Sequence, residues 1–246
     1  MEIFYHKKKI VESTNSWAIS EVNNIDENEI HVFSADFQIY GRGQGNHTWS
    51  SEDGQNILMS FLVKNLNVKI QNQFLLSRII ALAAYNYISE ELLNDKVEIK
   101  WPNDILVNNK KIAGILIENL VMGDVIKATV SGIGININQG KFASDLNLAT
   151  SMIINDNKQR NIEIEIKKMA ENYKECLELY FKNGDDYIYK AYNDKLWGLN
   201  ATKKFMLDGN IVECTILGTE KDGQISLLMP DKNKKSFFHH EIATCY

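Results

Sequence analysis

The sequence is short of the features that assign a class at a glance. No apolar run approaches the roughly 20 residues a membrane span needs. The N-terminal stretch MEIFYHKKKIVESTNSW carries lysines with no apolar core behind them, so it does not read as a secretory signal. Prolines number only two, Pro102 and Pro230, and cysteines three, Cys176, Cys214 and Cys245. The cysteines are far apart and lack a Cys-x-x-Cys pair or Cys/His cluster. That argues against metal-ligand spacing and reads as free thiols in a reducing cytosol. Basic charge is also scarce. A formal net charge of -5 argues against general affinity for nucleic acid or anionic membranes, which needs a clustered Lys/Arg surplus. A local basic pocket for a small anion remains compatible with it. Repeats and low-complexity tracts are missing too. What is present is ordinary for a soluble, cytoplasmic globular protein: 246 residues, 44% apolar and 24% charged, enough for one large domain, or one large and one small.

Hydrophobic periodicity outlines the elements. Thr14 reads as the N-cap of a short helix over 15–22, with Trp17, Ala18 and Val22 along one side. Residues 29–37 and 56–63 read as strands on either side of a polar, glycine-rich stretch, 40–55. Leu76, Ile79, Ile80, Ala83, Ala84, Tyr87 and Ile88 recur at helical spacing and predict an amphipathic helix over 73–93 that covers a sheet. Strands are expected over 98–107, 111–121 and 125–137. Asn108-Asn109 and Met122-Gly123-Asp124 are tight connections that make the three antiparallel neighbours. A second long helix is expected over 164–182. From Ala201 onward short alternating runs are split by Asp208-Gly209 and Asp222-Gly223, both hairpin turns, which predicts a small all-β barrel. The fold class is thus α+β with a β-rich cap, divided near Asn200 into 1–199 and 200–246.

Four stretches carry chemistry, each with a plainer alternative. Glu12-Ser13-Thr14-Asn15 offers polar side chains, or merely a helix start. Gly41-Arg42-Gly43-Gln44-Gly45 lets backbone amides approach an anion, with the Arg42 fork suited to carboxylate or phosphate; the alternative is a mobile surface turn. It is not a Gly-x-x-x-x-Gly-Lys-[Ser/Thr] phosphate loop. Lys100-Trp101-Pro102-Asn103-Asp104 sets a lysine beside a stiff corner, or is a strand break. Lys111 to Glu118, containing Gly114, leads into Gly132-Ile133-Gly134-Ile135-Asn136. Glycines at alternate strand positions bare one face of a sheet for a flat ligand, or for a packed helix.

Taken in this order, the motifs resemble the biotin protein ligase family. The likeness covers Ser13-Thr14-Asn15, Gln38-x-x-Gly41-Arg42-Gly43 followed by Trp49, Lys-Trp-Pro-Asn-Asp, Lys111-x-Ala-Gly-Ile-Leu and Gly-x-Gly-x-Asn, from Glu12 to Asn138. The resemblance implies a mixed sheet with flanking helices related to class II aminoacyl-tRNA synthetases, and an SH3-like barrel at the C-terminus. It also implies Mg²⁺-dependent formation of biotinyl-5′-AMP from biotin and ATP. The biotin would then pass to a lysine of a biotin carboxyl carrier domain; a homodimer is left open.

By the same resemblance, Ser13, Thr14, Asn15 and Gln38 would meet the ureido head of biotin, and Gly41, Gly114, Gly132 and Gly134 would line its site. Arg42, Gly43 and Gln44 would lie over the adenylate, Lys100 would touch carboxylate and phosphate oxygens, and Trp49 would pack near adenine. Asn103 and Asn136 would come close to the nucleotide and its metal, with no direct protein ligand to Mg²⁺. Arg42 and Lys100 are the catalytic candidates, acting by charge alone, so no Ser-His-Asp or Cys-His set is expected. Gln44, where many members carry arginine, and Asn46-His47 depart from the pattern.

Three rivals are weaker. A lipoate or octanoyl transferase shares Lys-Trp-Pro-Asn-Asp but not the Ser-Thr-Asn start combined with Gly-Arg-Gly-Gln and Trp49. A biotin-sensing repressor would need a DNA-binding domain ahead of Glu12, where eleven residues stand. A non-catalytic binder would not explain Lys100 together with Arg42.

Overall fold

The computed structural model describes residues 1–45 and 47–245, with Asp145 described by its backbone alone. Its centre is a seven-stranded mixed sheet built from β1 (Glu2–Val11), β2 (Glu29–Gln38), β3 (Ile57–Lys64), β4 (Val97–Lys100), β5 (Asp104–Val107), β6 (Lys110–Met122) and β7 (Val125–Ile135). The spatial order is β1-β2-β3-β7-β6-β5-β4. Only β1 and β2 run parallel; the remaining neighbours are antiparallel.

Period-two alternation assigns the two faces of this sheet. Ile57, Met59, Phe61 and Val63 of β3, Ile133 and Ile135 of β7, and Ala113 and Ile115 of β6 enter the main core. That core is roofed by α2 (Phe74–Glu91) and α4 (Ile162–Asn183). The intervening positions Ser60, Gly114, Gly132 and Gly134 therefore face the other way. On that side α1 (Thr14–Ser20) covers only one end, where Ala18 packs with Val22, Phe33, Leu62 and Val130. Further along that face the Trp49 ring lies over Gly114 and Gly134.

Several elements differ from the sequence expectation. Thr14 is not the N-cap of α1: Ser13 precedes the helix, with no side-chain cap, and Thr14 is its first residue. The strand expected over 98–107 is a hairpin, β4 and β5, turning through Trp101-Pro102-Asn103 across a cis Trp101–Pro102 peptide. A proline cannot donate to a ladder and so falls at the bend. Strand β1 and two short helices, α3 (Met152–Asp156) and α5 (Asp185–Asn193), were not foreseen. The Asn108-Asn109 and Gly123 turns are tight, with positive φ at each residue, and join antiparallel strands as expected.

The chain ends in a five-stranded antiparallel sheet, order β11-β10-β9-β8-β12, made of β8 (Thr202–Leu207), β9 (Asn210–Thr219), β10 (Ile225–Leu228), β11 (Lys234–Phe237) and β12 (Ile242–Thr244). Its inward residues Phe205, Ile216, Ile225 and Leu227 belong to the same apolar cluster as the main core. No described helix is long and apolar enough to cross a membrane.

Candidate functional site

A cavity of about 830 Å³ opens on the uncovered face of the large sheet, within the range typical of small-molecule sites. Its lining combines the start of α1, the glycine loop, the β4–β5 corner, the glycine positions of β6 and β7, and the end of the second sheet.

The floor is a buried polar cluster. The backbone N–H and hydroxyl of Thr14 both donate to Gln38 Oε1, at 2.8 and 3.0 Å. Ser60 Oγ lies 2.7 Å from Thr14 Oγ1 and 2.6 Å from Asn15 Oδ1. Asn15 Nδ2 donates to Leu116 O and, at 2.8 Å, to Glu118 Oε2. Thr14, Asn15 and Ser60 are all buried. Each group fixes the next, so the floor's donors and acceptors are oriented before anything binds. Ser13 lines the same cavity; its carbonyl accepts the Trp17 N–H at 3.0 Å, while its side chain caps no helix N–H.

The glycine stretch is a folded finger. Trp49 N–H donates to Gly41 O at 2.9 Å and Gly43 N–H to His47 O at 2.8 Å, with Arg42 paired to Thr48 between them. The Gly43 amide is thus committed within the finger. Gly41 is buried behind it, and Gln44 and His47 line the cavity. Asn46, one of the two departures in this stretch, lies outside the described residues. Arg42 Nη2 is 2.8 Å from Glu118 Oε2, so its charge is engaged by the carboxylate that also holds Asn15.

Two bare glycines explain how closely the elements approach. A Cβ at Gly132 would lie 2.1 Å from Asn15 Oδ1, and one at Gly134 2.3 Å from the Trp49 ring. Gly132 therefore makes room for Asn15 of α1 and also lines the cavity. Gly134, with Gly114 beside it in register, is covered by the Trp49 indole.

At the other end Lys100 Nζ is 3.6 Å from Asp104 Oδ2 and Lys111 Nζ 2.6 Å from Asp104 Oδ1. Lys100 and Asp104 are largely enclosed, while Lys111 is half exposed. Asn103 is spent on the corner itself: its Nδ2 donates to Ile115 O and its carbonyl accepts from Ile115 N–H, both at 2.9 Å. Asn136 does not reach the cavity lining; its Nδ2 donates to Thr150 O.

Sequence reasoning missed Ser60, Glu118, Asp104 and Lys111 as site residues, although the last three stood inside quoted motifs. Ser60 had a signal of its own, a lone polar residue in the apolar run ILMSFLV. His239 and His240, on the β11–β12 connection, also line the cavity. Burial, and then the neighbouring His240, hold His239 below the ordinary imidazole value.

A polar floor at one end and cations around the other suit a ligand with a polar head and an anionic tail. Among the described residues no three His, Cys, Asp or Glu side chains gather as a metal site.

The family model described as the biotin/lipoate A/B protein ligase family matches residues 8–136. The bifunctional ligase/repressor BirA of Bacillus subtilis (strain 168) is 35% identical over 153 residues, 61% of this chain and 46% of that protein. The biotin–[acetyl-CoA-carboxylase] ligase of Mycobacterium tuberculosis is 32% identical over 124 residues, 50% of this chain and 44% of that protein. The chain thus spans about half the length of the curated relatives it matches. Among solved structures, biotin protein ligase from Aquifex aeolicus in complex with biotin and ATP has a TM-score of 0.78 at 21% identity, covering 98% of each chain, a likeness of fold.

Proposed function

Because the chain belongs to the biotin/lipoate A/B protein ligase family, we propose that it is a biotin protein ligase that activates biotin with ATP and passes it to a lysine of a biotin carboxyl carrier domain. The observation that carries this reading is one cavity that holds an oriented polar floor, Thr14, Asn15 and Gln38 backed by the buried Ser60, together with the cations Lys100, Lys111 and Arg42. A ureido ring needs donors and acceptors of that kind, and a site built to pair a polar head rejects analogues that lack one.

In the first step a biotin carboxylate oxygen attacks the α-phosphorus of ATP, and the bond to pyrophosphate breaks. Two anions must meet, so a site without positive charge would repel its own reactants. Lys100 faces the developing charge from a corner pinned by Asn103. Arg42 joins it by exchanging Glu118 for phosphate oxygen. In the second step the acceptor amine attacks the acyl carbon and AMP leaves. No nucleophile is required from the protein; charge stabilisation and orientation do the chemistry.

Mg²⁺ favours octahedral oxygen ligands and usually keeps several waters, bound through substrate phosphates and one or two carboxylates. Asp104 lines the cavity beside Lys100 and Lys111, and with no three-residue cluster among the described residues this fits an ion brought in on ATP, where it would neutralise phosphate charge. Trp49 would pack near adenine. We further assign residues 1–199 to catalysis and 200–246 to an SH3-like unit, and the cytoplasm as the place of action.

Incubation with biotin, ATP, Mg²⁺ and a carrier domain, followed by intact mass, tests the proposal. One added biotinyl group on the carrier is expected. A carrier modified by lipoate as readily as by biotin would overturn it.

A further inference from the structure

The second sheet reaches into the β4–β5 corner through one turn. Between β9 and β10, residues Glu220 to Gly223 fold back with Gly223 N–H donating to Glu220 O at 3.0 Å. The Gly223 carbonyl accepts the Trp101 indole N–H at 2.8 Å, a buried bond. Trp101 is the residue between Lys100 and the corner proline, and it too is buried.

The turn is in turn gripped from the other layer. Arg78 of α2 is fully buried and donates from Nη1 to Lys221 O and from Nη2 to Glu220 O. Its guanidinium lies over the rings of Phe74 and Tyr189, 4.8 and 5.0 Å from their centroids. Gly223 has φ +96, and a Cβ there would meet the Phe74 ring at 2.5 Å, so backbone and ring are in close contact. Tyr189 Oη donates to Thr219 O at 2.7 Å, just before the turn. A buried guanidinium is costly to desolvate unless acceptors are fixed in place for it. Two adjacent carbonyls of one turn take its Nη1 and Nη2 donors, with Nε buried and unpaired among the described residues, and their positions become fixed with it.

We infer that the Glu220–Gly223 turn is a strut for Lys100, with Arg78 as the positioning residue that fixes the turn and Trp101 as the side chain that transmits its position. This rests on the proposal that Lys100 stabilises charge during adenylate formation. The second sheet is thereby part of the rate, since a misplacement of about 1 Å at a reacting centre costs about 10²-fold.

Three variants test it by pyrophosphate release with biotin and ATP: Trp101→Phe, which keeps an aromatic ring but removes the N–H, Arg78→Met, and the pair together. The expected result is a folded Trp101→Phe protein with kcat reduced about 10- to 100-fold and biotin KM within about threefold, since the floor is untouched. Arg78→Met should act in the same direction, and the double variant should be no slower than the slower single. Effects of sites acting independently would multiply instead. In a Lys100→Met background neither change should slow the reaction further. Normal kcat in folded Trp101→Phe, or multiplying effects, would overturn the strut; if Arg78→Met does not fold, Trp101→Phe decides alone.

A second readout is independent of activity. Exchange of the Trp101 indole proton, assigned by its loss in Trp101→Phe, should be slow and should accelerate at least about tenfold in Arg78→Met, the effect of more than about 1 kcal/mol of lost protection. Unchanged exchange would overturn the link from Arg78 to Trp101. An unaltered protein that releases no pyrophosphate would instead sink the ligase reading, while exchange still judged the strut.

Discussion

The floor of the cavity and the finger beside it are made of similar polar residues but held in opposite ways. In the floor, Thr14, Asn15 and Ser60 are buried and bonded to one another and to Gln38. A ligand head that displaces a bond there must itself supply the partner it removes. In the finger, Arg42 is 43% exposed and its charge is engaged by Glu118, a pair of the kind worth about 1 kcal/mol or less. One region is prepared before binding; the other must trade partners during it. Selectivity therefore belongs to the floor, and commitment to reaction belongs to the finger and the lysines.

The largest effect should come from the cationic end. Lys100→Met keeps most of the apolar stem, so the variant should fold, bind biotin weakly and form adenylate about 10²–10³-fold more slowly, as loss of one oriented charge stabiliser does. Near-normal pyrophosphate release would remove Lys100 from the chemistry. An unfolded variant would make it a residue of the corner's structure.

Breaking the floor should be next in size. Ser60→Ala leaves the buried Asn15 Oδ1 without its donor, at a cost of about 1–3 kcal/mol. A lower melting temperature and roughly tenfold weaker biotin affinity by calorimetry are expected. If both measurements match the unaltered protein, the floor is not prepared in the sense described.

The finger should respond more gently. Glu118→Gln keeps a carbonyl for Asn15 but removes the charge that competes for Arg42. ATP KM should fall by up to about fivefold, consistent with an exposed pair, and hydrogen exchange across 41–49 without ligand should quicken. Slower exchange would show that Glu118 does not restrain the finger. Smallest is Gln44→Arg, which should slow escape of biotinyl-AMP a few-fold through a charge-assisted contact. An equal or faster off-rate in a chase would refute it.

Much of this was legible because helices and buried strands announce themselves by period. β2, β3, α2, β6, β7 and α4 carry strong apolar patterns. Strand β1 does not: its run KKKI is exposed at the sheet edge, where lysines are common and alternation is weak. The β4–β5 hairpin hid because apolar residues alternate on both sides of Pro102, and the eye runs through the turn. In the candidate site, local motifs pointed to Arg42, Lys100, Thr14 and Gln38, which line the cavity. Glu118 is 76 residues from Arg42 and Ser60 is 45 from Asn15, so only the packing of the finger and α1 on the face of the sheet brings them together. Asn136 belonged to a motif, but the fold spends its side chain on the Thr150 carbonyl.

Trp49 gives the molecule a means of being watched with light. Its ring lies on the bare strip at Gly114 and Gly134, yet its N–H is buried without a hydrogen-bond partner among the described residues. The indoles of Trp101 and Trp197, by contrast, donate to Gly223 O and Asn109 Oδ1. A donor shut away from both water and acceptor costs about 1–3 kcal/mol, so any occupant of the strip that moves the ring to a wetter place relieves that cost. Indole emission shifts to longer wavelength as its surroundings become more polar. The share of this protein's fluorescence that comes from Trp49 should accordingly follow the position of the finger.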